Sequence, residues 1–255
     1  MTTITYPLSR IEGHARVVID VHDNEVFRAD FQAMEMRGFG HYVRGVPAEQ
    51  ITVIVPRICG VCSTAHQVAS VKALEDTFGI TPPPLAEDIR EVLLLGQLIQ
   101  NQATSLFIFT MPDRANATSL FELSQSETGK AREFSLAQNA LKIRKIGTDL
   151  ISLAGGQFIH PIKTVIGGVT SGITREKADA MIKTLDELLP VAIDLVDNYW
   201  QMSLEMVDRI GTWGDDEPTY YLASTESDNF RLNSKRLRVM CNEGRECHTF
   251  APQDY

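Results

Sequence analysis

The sequence has 255 residues, 44% of them hydrophobic and 22% charged, the make-up of an ordinary globular chain long enough for one large domain or two small ones. A net charge of −9 with no sustained Lys/Arg run excludes nucleic acids and anionic membrane surfaces as partners, because phosphate binding needs clustered cations. Four cysteines are too few for a disulfide scaffold, the first residues carry no basic-then-apolar leader, and the apolar stretch around residues 92–99 is far shorter than the ~20 residues a membrane span requires, so the expected compartment is the reducing cytosol.

Residues 15–21, ARVVIDV, are rich in β-branched side chains, HDN (22–24) is a turn signal, and residues 25–35 read as the returning strand of a β-hairpin. MRGFGHYVRG (36–45) carries three glycines and reads as an irregular loop, after which a short helix starts at Pro47 and ends before Pro56. From residue 63 to 78, Val68, Val71, Ala73, Leu74 and Phe78 recur at helical spacing, and Gly79 supplies a stop. TPPP (81–84) leads rigidly into a long helix from about Leu85 to Thr110, ended by Pro112. Another spans 131–154 and closes at Gly155–Gly156. A further helix runs from Arg175 to about Ile210, capped by Thr174, with Met181, Ile182, Leu185, Leu188, Leu189, Ala192, Leu195 and Val196 as its buried stripe. From Gly211 onward the chain is polar, acidic and rich in turns. The expected fold class is α+β, mainly α: a small N-terminal hairpin leading into a bundle of long helices over residues 1–210, followed by the start of a polar, turn-rich subdomain over 211–255.

The chemistry concentrates in RICGVCSTAH (57–66), which sets Cys59 and Cys62 at the head of a predicted helix with His66 four residues later. A helix N-terminus offers unpaired N–H groups and a positive dipole end that favour thiolate over thiol. His66 would lie one turn up on the same face, within reach of the second sulfur. Thiolates suit zinc, iron–sulfur clusters and other late transition metals. On its own the C-x-x-C is compatible with half a structural zinc site, a redox dithiol, or an incidental pair. A thioredoxin-like dithiol needs a βαβ setting, whereas here a hairpin and loop precede the motif and helices follow it. A zinc site wants a second pair, and the remaining cysteines, Cys241 and Cys247 in CNEGRECH, are five residues apart in the polar tail. Upstream, SRIEGHARV (9–17) places Glu12 and His14 on either side of Gly13, which by spacing alone reads as a charged surface turn.

Taken together, SRIEGHARV, MRGF (36–39) and PRICGVCSTAH (56–66) resemble the large, catalytic subunit of nickel–iron hydrogenases. The likeness continues in order through PD at 112–113, GGQFIHP (155–161) and GGVTSG (167–172), and is nearest to the cytosolic hydrogenases that feed electrons to soluble acceptors. The resemblance implies that Cys59 is a terminal thiolate on nickel and Cys62 a thiolate bridging nickel and iron, the iron carrying carbon monoxide and cyanide. It implies that His66 hydrogen-bonds the bridging sulfur, that Glu12 takes the proton from a terminal thiolate, and that Arg57 and Asp113 lie around the iron. The reaction implied is H2 ⇌ 2 H+ + 2 e−, with electrons leaving through iron–sulfur clusters in a separate small subunit, then on to further soluble acceptor subunits.

This sequence also departs from the pattern. The family's nickel has four thiolates, two of them from a second C-x-x-C near the end of a longer chain, and no second C-x-x-C is present here. The expectation is therefore an N-terminal portion, with the other half lost by truncation or supplied by another polypeptide, and with an apolar face left uncovered. Gly40 stands where many relatives carry a glutamate that helps bind magnesium, so that ion is not carried over, and Gln102 replaces a histidine common in relatives. His160 matches a position near the small-subunit face and reads equally as a histidine satisfied in a turn. Two other readings stand beside the enzyme: a non-enzymatic relative such as the hydrogenase-like subunit of respiratory complex I, which lacks the thiolates, and a zinc-stabilised interaction module built on Cys59, Cys62, Cys241 and Cys247.

Overall fold

The computed structural model describes residues 2–115, 117–123, 131–210, 219–227, 229–232 and 234–254. The chain opens with a three-stranded antiparallel sheet in the order β1-β2-β3, formed by β1 (Thr2–Pro7), β2 (Ala15–His22) and β3 (Glu25–Ala33). The expected hairpin is β2–β3. Its turn residues Asp23 and Asn24 both take positive φ (49° and 66°), the left-handed geometry that matches strand twist in tight hairpins. β1 was not anticipated; TTITYP alternates β-branched and aromatic residues and pairs Tyr6 with Val17 and Ile4 with Ile19.

Within the glycine-rich loop, Gly38 at φ 61° opens one turn of helix, α1 (Phe39–Tyr42). The short α2 (Ala48–Ile54) begins after Pro47 as expected and tightens into a 3-10 turn over Val55–Ile58. α3 (Ser63–Phe78) has the predicted limits, closed by Gly79 in the left-handed conformation at φ 65°. α4 (Pro84–Ala103) is continued by a wide π-helical segment, Thr104–Thr110, and by α5 (Met111–Arg114). Pro112 does not end the helix here: it sits in the first turn of α5, where its missing N–H costs no hydrogen bond. The resulting 31 helical residues, Pro84–Arg114, are long and apolar enough to cross a membrane by length and composition, with 33% of the most apolar window buried inside the fold. Counting unbroken apolar runs had missed this, because Gly96, Gln97 and Gln100 interrupt the run without interrupting the helix.

After the single turn α6 (Leu120–Leu123) comes α7 (Ala131–Gly155), a two-residue hairpin of β4 (Thr164–Val165) and β5 (Gly168–Val169), and α8 (Arg175–Leu204) with its continuation α9 (Val207–Ile210). Thr174 caps α8, its hydroxyl accepting the Lys177 N–H at 3.4 Å. The tail, expected only to be turn-rich, forms a four-stranded antiparallel sheet in the order β7-β6-β8-β9 from β6 (Tyr220–Glu226), β7 (Asn229–Phe230), β8 (Leu237–Cys241) and β9 (Glu246–Phe250). Residues 211–218, where the polar subdomain was expected to begin, lie outside the described residues.

Two apolar clusters hold the helices together. Val68, Ile89, Leu93, Ile151 and Ala154 join α3, α4 and α7, while Phe107, Met111, Leu136, Ala137, Ala140 and Leu195 join the π segment, α5, α7 and α8. The predicted stripes need correcting. On α3, Val68 and Val71 are buried but Ala73 and Phe78 are exposed; on α8, Leu195 is buried whereas Ile182, Leu189 and Val196 face solvent. The side of α3 away from the active loop is instead fixed by a buried ion pair. Arg90, fully buried, donates from both terminal nitrogens to Glu75 (2.7 and 2.9 Å) and also to the Val165 and Gly168 carbonyls, while Glu75 accepts the Gly167 N–H at 2.7 Å. This knot ties α3, α4 and the β4–β5 hairpin, and removing Arg90, which also pairs with Glu87 at 3.0 Å, would strand the buried Glu75 at a cost of about 3–5 kcal/mol.

Candidate metal centre

The C-x-x-C loop lies where the 3-10 turn meets α3. Cys59 is extended (φ −143°, ψ 119°) and Cys62 is the residue from which α3 starts. Their Cα atoms are 5.4 Å apart and their sulfurs are bonded to each other as a disulfide. The Cys62 N–H donates to Cys59 Sγ at 3.3 Å, so the first free amide of the helix points at that sulfur, as expected for a loop that stabilises thiolate. The head of α3 is braced from two sides: Gln97 of α4 accepts the Ala65 N–H at 2.9 Å, and Ser63 Oγ accepts the His160 N–H at 3.3 Å. His160 holds φ 54°, its carbonyl accepts from Gln157 at 2.6 Å, and its buried Nδ1 has no hydrogen-bond partner.

Glu12 comes to this loop from the segment between β1 and β2. Its Oε1 lies 4.0 Å from Cys59 Sγ, a distance at which a hydrogen bond could form only once the disulfide is reduced to a thiol, although the two residues are 47 positions apart. His66 sits one turn into α3, its N–H on the Cys62 carbonyl at 3.3 Å. Arg57 turns back on its own helix and donates to the Val53 carbonyl. Asp113 is exposed and paired with Arg10 at 3.0 Å. His14, the other ionisable group of the N-terminal motif, pairs with Glu35 at 2.6 Å, away from the sulfurs.

The residue that sequence reasoning missed is Arg10. Besides Asp113 it donates to the Phe109 carbonyl of the π segment at 2.8 Å and to the Thr118 carbonyl at 2.9 Å, and its own backbone is left-handed (φ 62°). It therefore pins the strand-to-strand segment bearing Glu12 onto the end of the long α4–α5 rod. The available signal was its place in the same RIEGH motif.

The donor chemistry fits one half of a soft-metal site: two sulfurs at a helix head, an amide aimed at one of them, and a carboxylate beside it. Among the described residues no group of three or more His, Cys, Asp or Glu side chains gathers to hold a metal ion. The four-cysteine zinc module is thus not formed. Cys241 and Cys247 lie on a hairpin of their own, described below.

Comparison with known proteins places this fold beside the large subunits of hydrogenases. Residues 37–137 match the family described as nickel-dependent hydrogenase, and residues 3–36 match a HoxL-like family. The chain is a nickel-dependent hydrogenase large-subunit-like protein. It is 32% identical over 253 residues to a component of the vhu F420-non-reducing hydrogenase of Methanocaldococcus jannaschii, covering 98% of this chain and 60% of that protein. It is 26% identical to the NAD-reducing hydrogenase HoxS subunit beta of Cupriavidus necator, covering 98% of this chain and 54% of that one. A crystal structure of an NAD+-reducing NiFe-hydrogenase in the H2-reduced state superposes with a TM-score of 0.84 at 26% identity, over 100% of this chain and 58% of its own. The chain therefore spans somewhat more than half the length of these relatives, which are hydrogenases, oxidoreductases acting on H2. The non-enzymatic alternative is not favoured.

Proposed function

We propose that this chain forms part of the catalytic subunit of a nickel–iron hydrogenase of the soluble-acceptor type, working in the cytoplasm. The observation that carries the reading is the approach of Glu12 Oε1 to Cys59 Sγ at 4.0 Å, beside Cys62 at the head of α3. Once reduced, Cys59 and Cys62 would be the two residues of this chain that hold the nickel–iron centre, whose iron would carry carbon monoxide and cyanide. When bound, this centre supplies the heterolytic splitting of H2. Glu12 receives the proton at its carboxylate from the neighbouring sulfur and, being exposed, passes it outward to solvent. His66, one turn above Cys62, is assigned by the resemblance to hydrogen-bond the Cys62 sulfur. Arg57 and Asp113 are assigned to the surroundings of the iron by the resemblance alone; Asp113 itself pairs with Arg10.

Two thiolates make half of the donor set, and the other two would come from a second C-x-x-C that is not among these 255 residues. Electrons leave to an iron–sulfur small subunit, then to soluble acceptor subunits; the relatives' designations as individual subunits of their enzymes support multi-subunit assembly. Gly40 offers no carboxylate at the position where many relatives carry a glutamate for magnesium.

The test is metal analysis and infrared spectroscopy of the subunit purified without oxygen together with its partners. Nickel and iron in equal amounts, with carbon monoxide and cyanide bands, support the assignment, and zinc alone overturns it. Glu12→Gln is expected to keep both metals and those bands while lowering H2/D2O exchange by roughly 10²–10⁴-fold, the usual worth of a positioned proton acceptor. Undiminished exchange in that variant would remove Glu12 from the proton path.

A further inference from the structure

The C-terminal sheet carries a second pair of cysteines that the hydrogenase reading leaves unused. β8 and β9 are joined by a tight turn in which Gly244 adopts φ 75°, the Gly244 N–H donates to the Cys241 carbonyl at 3.0 Å, and the Cys241 N–H donates to the Arg245 carbonyl at 3.0 Å. The ladder then slips. Met240 pairs with Glu246 but Val239 pairs with His248, which leaves Cys247 as the extra residue of a bulge. The bulge turns the Cys247 thiol back toward the turn, where it donates to the same Arg245 carbonyl at 3.6 Å. One carbonyl thus gathers the backbone of one cysteine and the sulfur of the other across the hairpin.

Their surroundings differ. Cys241 is buried and Cys247 exposed. Burial pushes the Cys241 thiol up, but the N–H groups of Arg245 and Glu243, the Arg245 side chain and the Cys247 thiol outweigh it and hold Cys241 below the ordinary thiol range. Loss of hydration and the neighbouring Cys241 sulfur hold Cys247 above that range. A sheltered sulfur held by backbone amides, with a second thiol beside it at the surface of the same hairpin, is the arrangement of a reactive dithiol rather than of two inert cysteines.

We propose that Cys241 and Cys247 are a reversible dithiol–disulfide site that exchanges with low-molecular-weight disulfides. Cys247 is the sulfur a disulfide can reach. It gives up its proton to water and attacks one sulfur of RSSR, breaking the S–S bond, forming Cys247–S–SR and releasing RS−, which is protonated to RSH. Cys241 then loses a proton to water and attacks the Cys247 sulfur, closing the Cys241–Cys247 bond and expelling the second RS−. Two protein thiols give up two electrons and two protons, and RSSR leaves as two RSH. The site is independent of the nickel reading, because it shares no residue with the Cys59–Cys62 loop.

Glutathione disulfide is a suitable probe of the full 255-residue chain, followed by rapid alkylation, tryptic digestion and mass spectrometry. Trypsin cuts after Arg238 and Arg245, so Cys241 and Cys247 fall on separate peptides, 239–245 and 246–255, whereas Cys59 and Cys62 share one. The expected product is those two peptides covalently linked, with both thiols lost together. The equilibrium should favour the link at least ~10-fold more in the native chain than in urea, where the hairpin no longer holds the sulfurs together. Cys241→Ser should trap Cys247 as its glutathione adduct, and Cys247→Ser should leave Cys241 a free thiol. A lasting adduct on Cys247 of the unsubstituted chain with Cys241 still free, or equal linkage in urea, would overturn the proposal.

Discussion

The long helix α7 has two long neighbours, and they meet it in different ways. Against α4 the backbones come into direct contact: a Cβ built on Gly147 would lie 2.6 Å from the Gln100 nitrogen, and one on Gly96 2.8 Å from Leu150 Cβ. Around that crossing Leu93, Ile151 and Ala154 are almost fully buried. Against α8 the contact passes through side chains, Leu136, Ala137 and Ala140 of α7 clustering with Leu195 of α8. Of the thirty residues of α8 only Leu195 is buried, while Leu189, Val196 and Trp200 are about 60% exposed. Both neighbours carry apolar residues at helical spacing. What separates them is whether small residues let the backbones close, since an apolar stripe states only that a helix can be covered.

The sharpest way to break this contrast is Gly147→Val. Its Cβ meets backbone rather than the tip of a flexible side chain, so α4 and α7 must move apart and loosen Gln97, the residue that braces the head of α3. A loss of about 2–3 kcal/mol is expected, read as a lower urea midpoint with an unchanged slope. The C-x-x-C loop should feel the shift, so alkylation of reduced Cys59 and Cys62 should change in the same variant. Stability unaltered by Gly147→Val would mean that the helices are not in backbone contact.

A smaller effect is expected from Arg10→Gln. It removes an ion pair and two charge-assisted hydrogen bonds that join the Glu12 segment to the end of the α4–α5 rod, all of them partly exposed. The cost should be about 1–2 kcal/mol. Amide exchange should rise in residues 8–14 while the α4–α7 crossing stays protected. Faster exchange spread evenly over both regions would show that Arg10 supports the whole fold rather than the placement of Glu12.

How far the sequence was legible follows the same physical line. The limits of α3 were readable because Gly79 ends it through local backbone geometry, and the cap of α8 because a threonine hydroxyl meets an amide three residues on. The burial of Glu75 and Arg90 was not readable. Charges on a helix look solvent-facing until a partner 15 residues away and two hairpin carbonyls meet them. The second sheet was missed because its strands are short and interleaved with polar residues, leaving weak alternation. At the site, Cys59, Cys62 and Glu12 were each marked by motif, and their approach is a tertiary fact that only the resemblance anticipated. Arg10 escaped notice because arginines beside glutamates are common on surfaces, and its three partners lie about a hundred residues further on.

The smallest effect, and the one that most directly tests the meaning of an exposed stripe, is expected from Val196→Asp on α8. Val196 neighbours buried Leu195 in sequence but points the other way, 60% exposed, next to exposed Ile193 and Trp200. An apolar side chain that folding leaves in water contributes little burial to lose, and an aspartate there adds no buried charge. The change in stability should stay within about 0.5 kcal/mol, the range for surface positions. A loss of several kcal/mol would show that this face is covered when the chain unfolds from its solution state, and a rise in the chain's solubility would mark the stripe as sticky but unpartnered. The spacing of apolar residues thus sets which side of α8 is available, and only a contact that the substitution disrupts can show that the side is used.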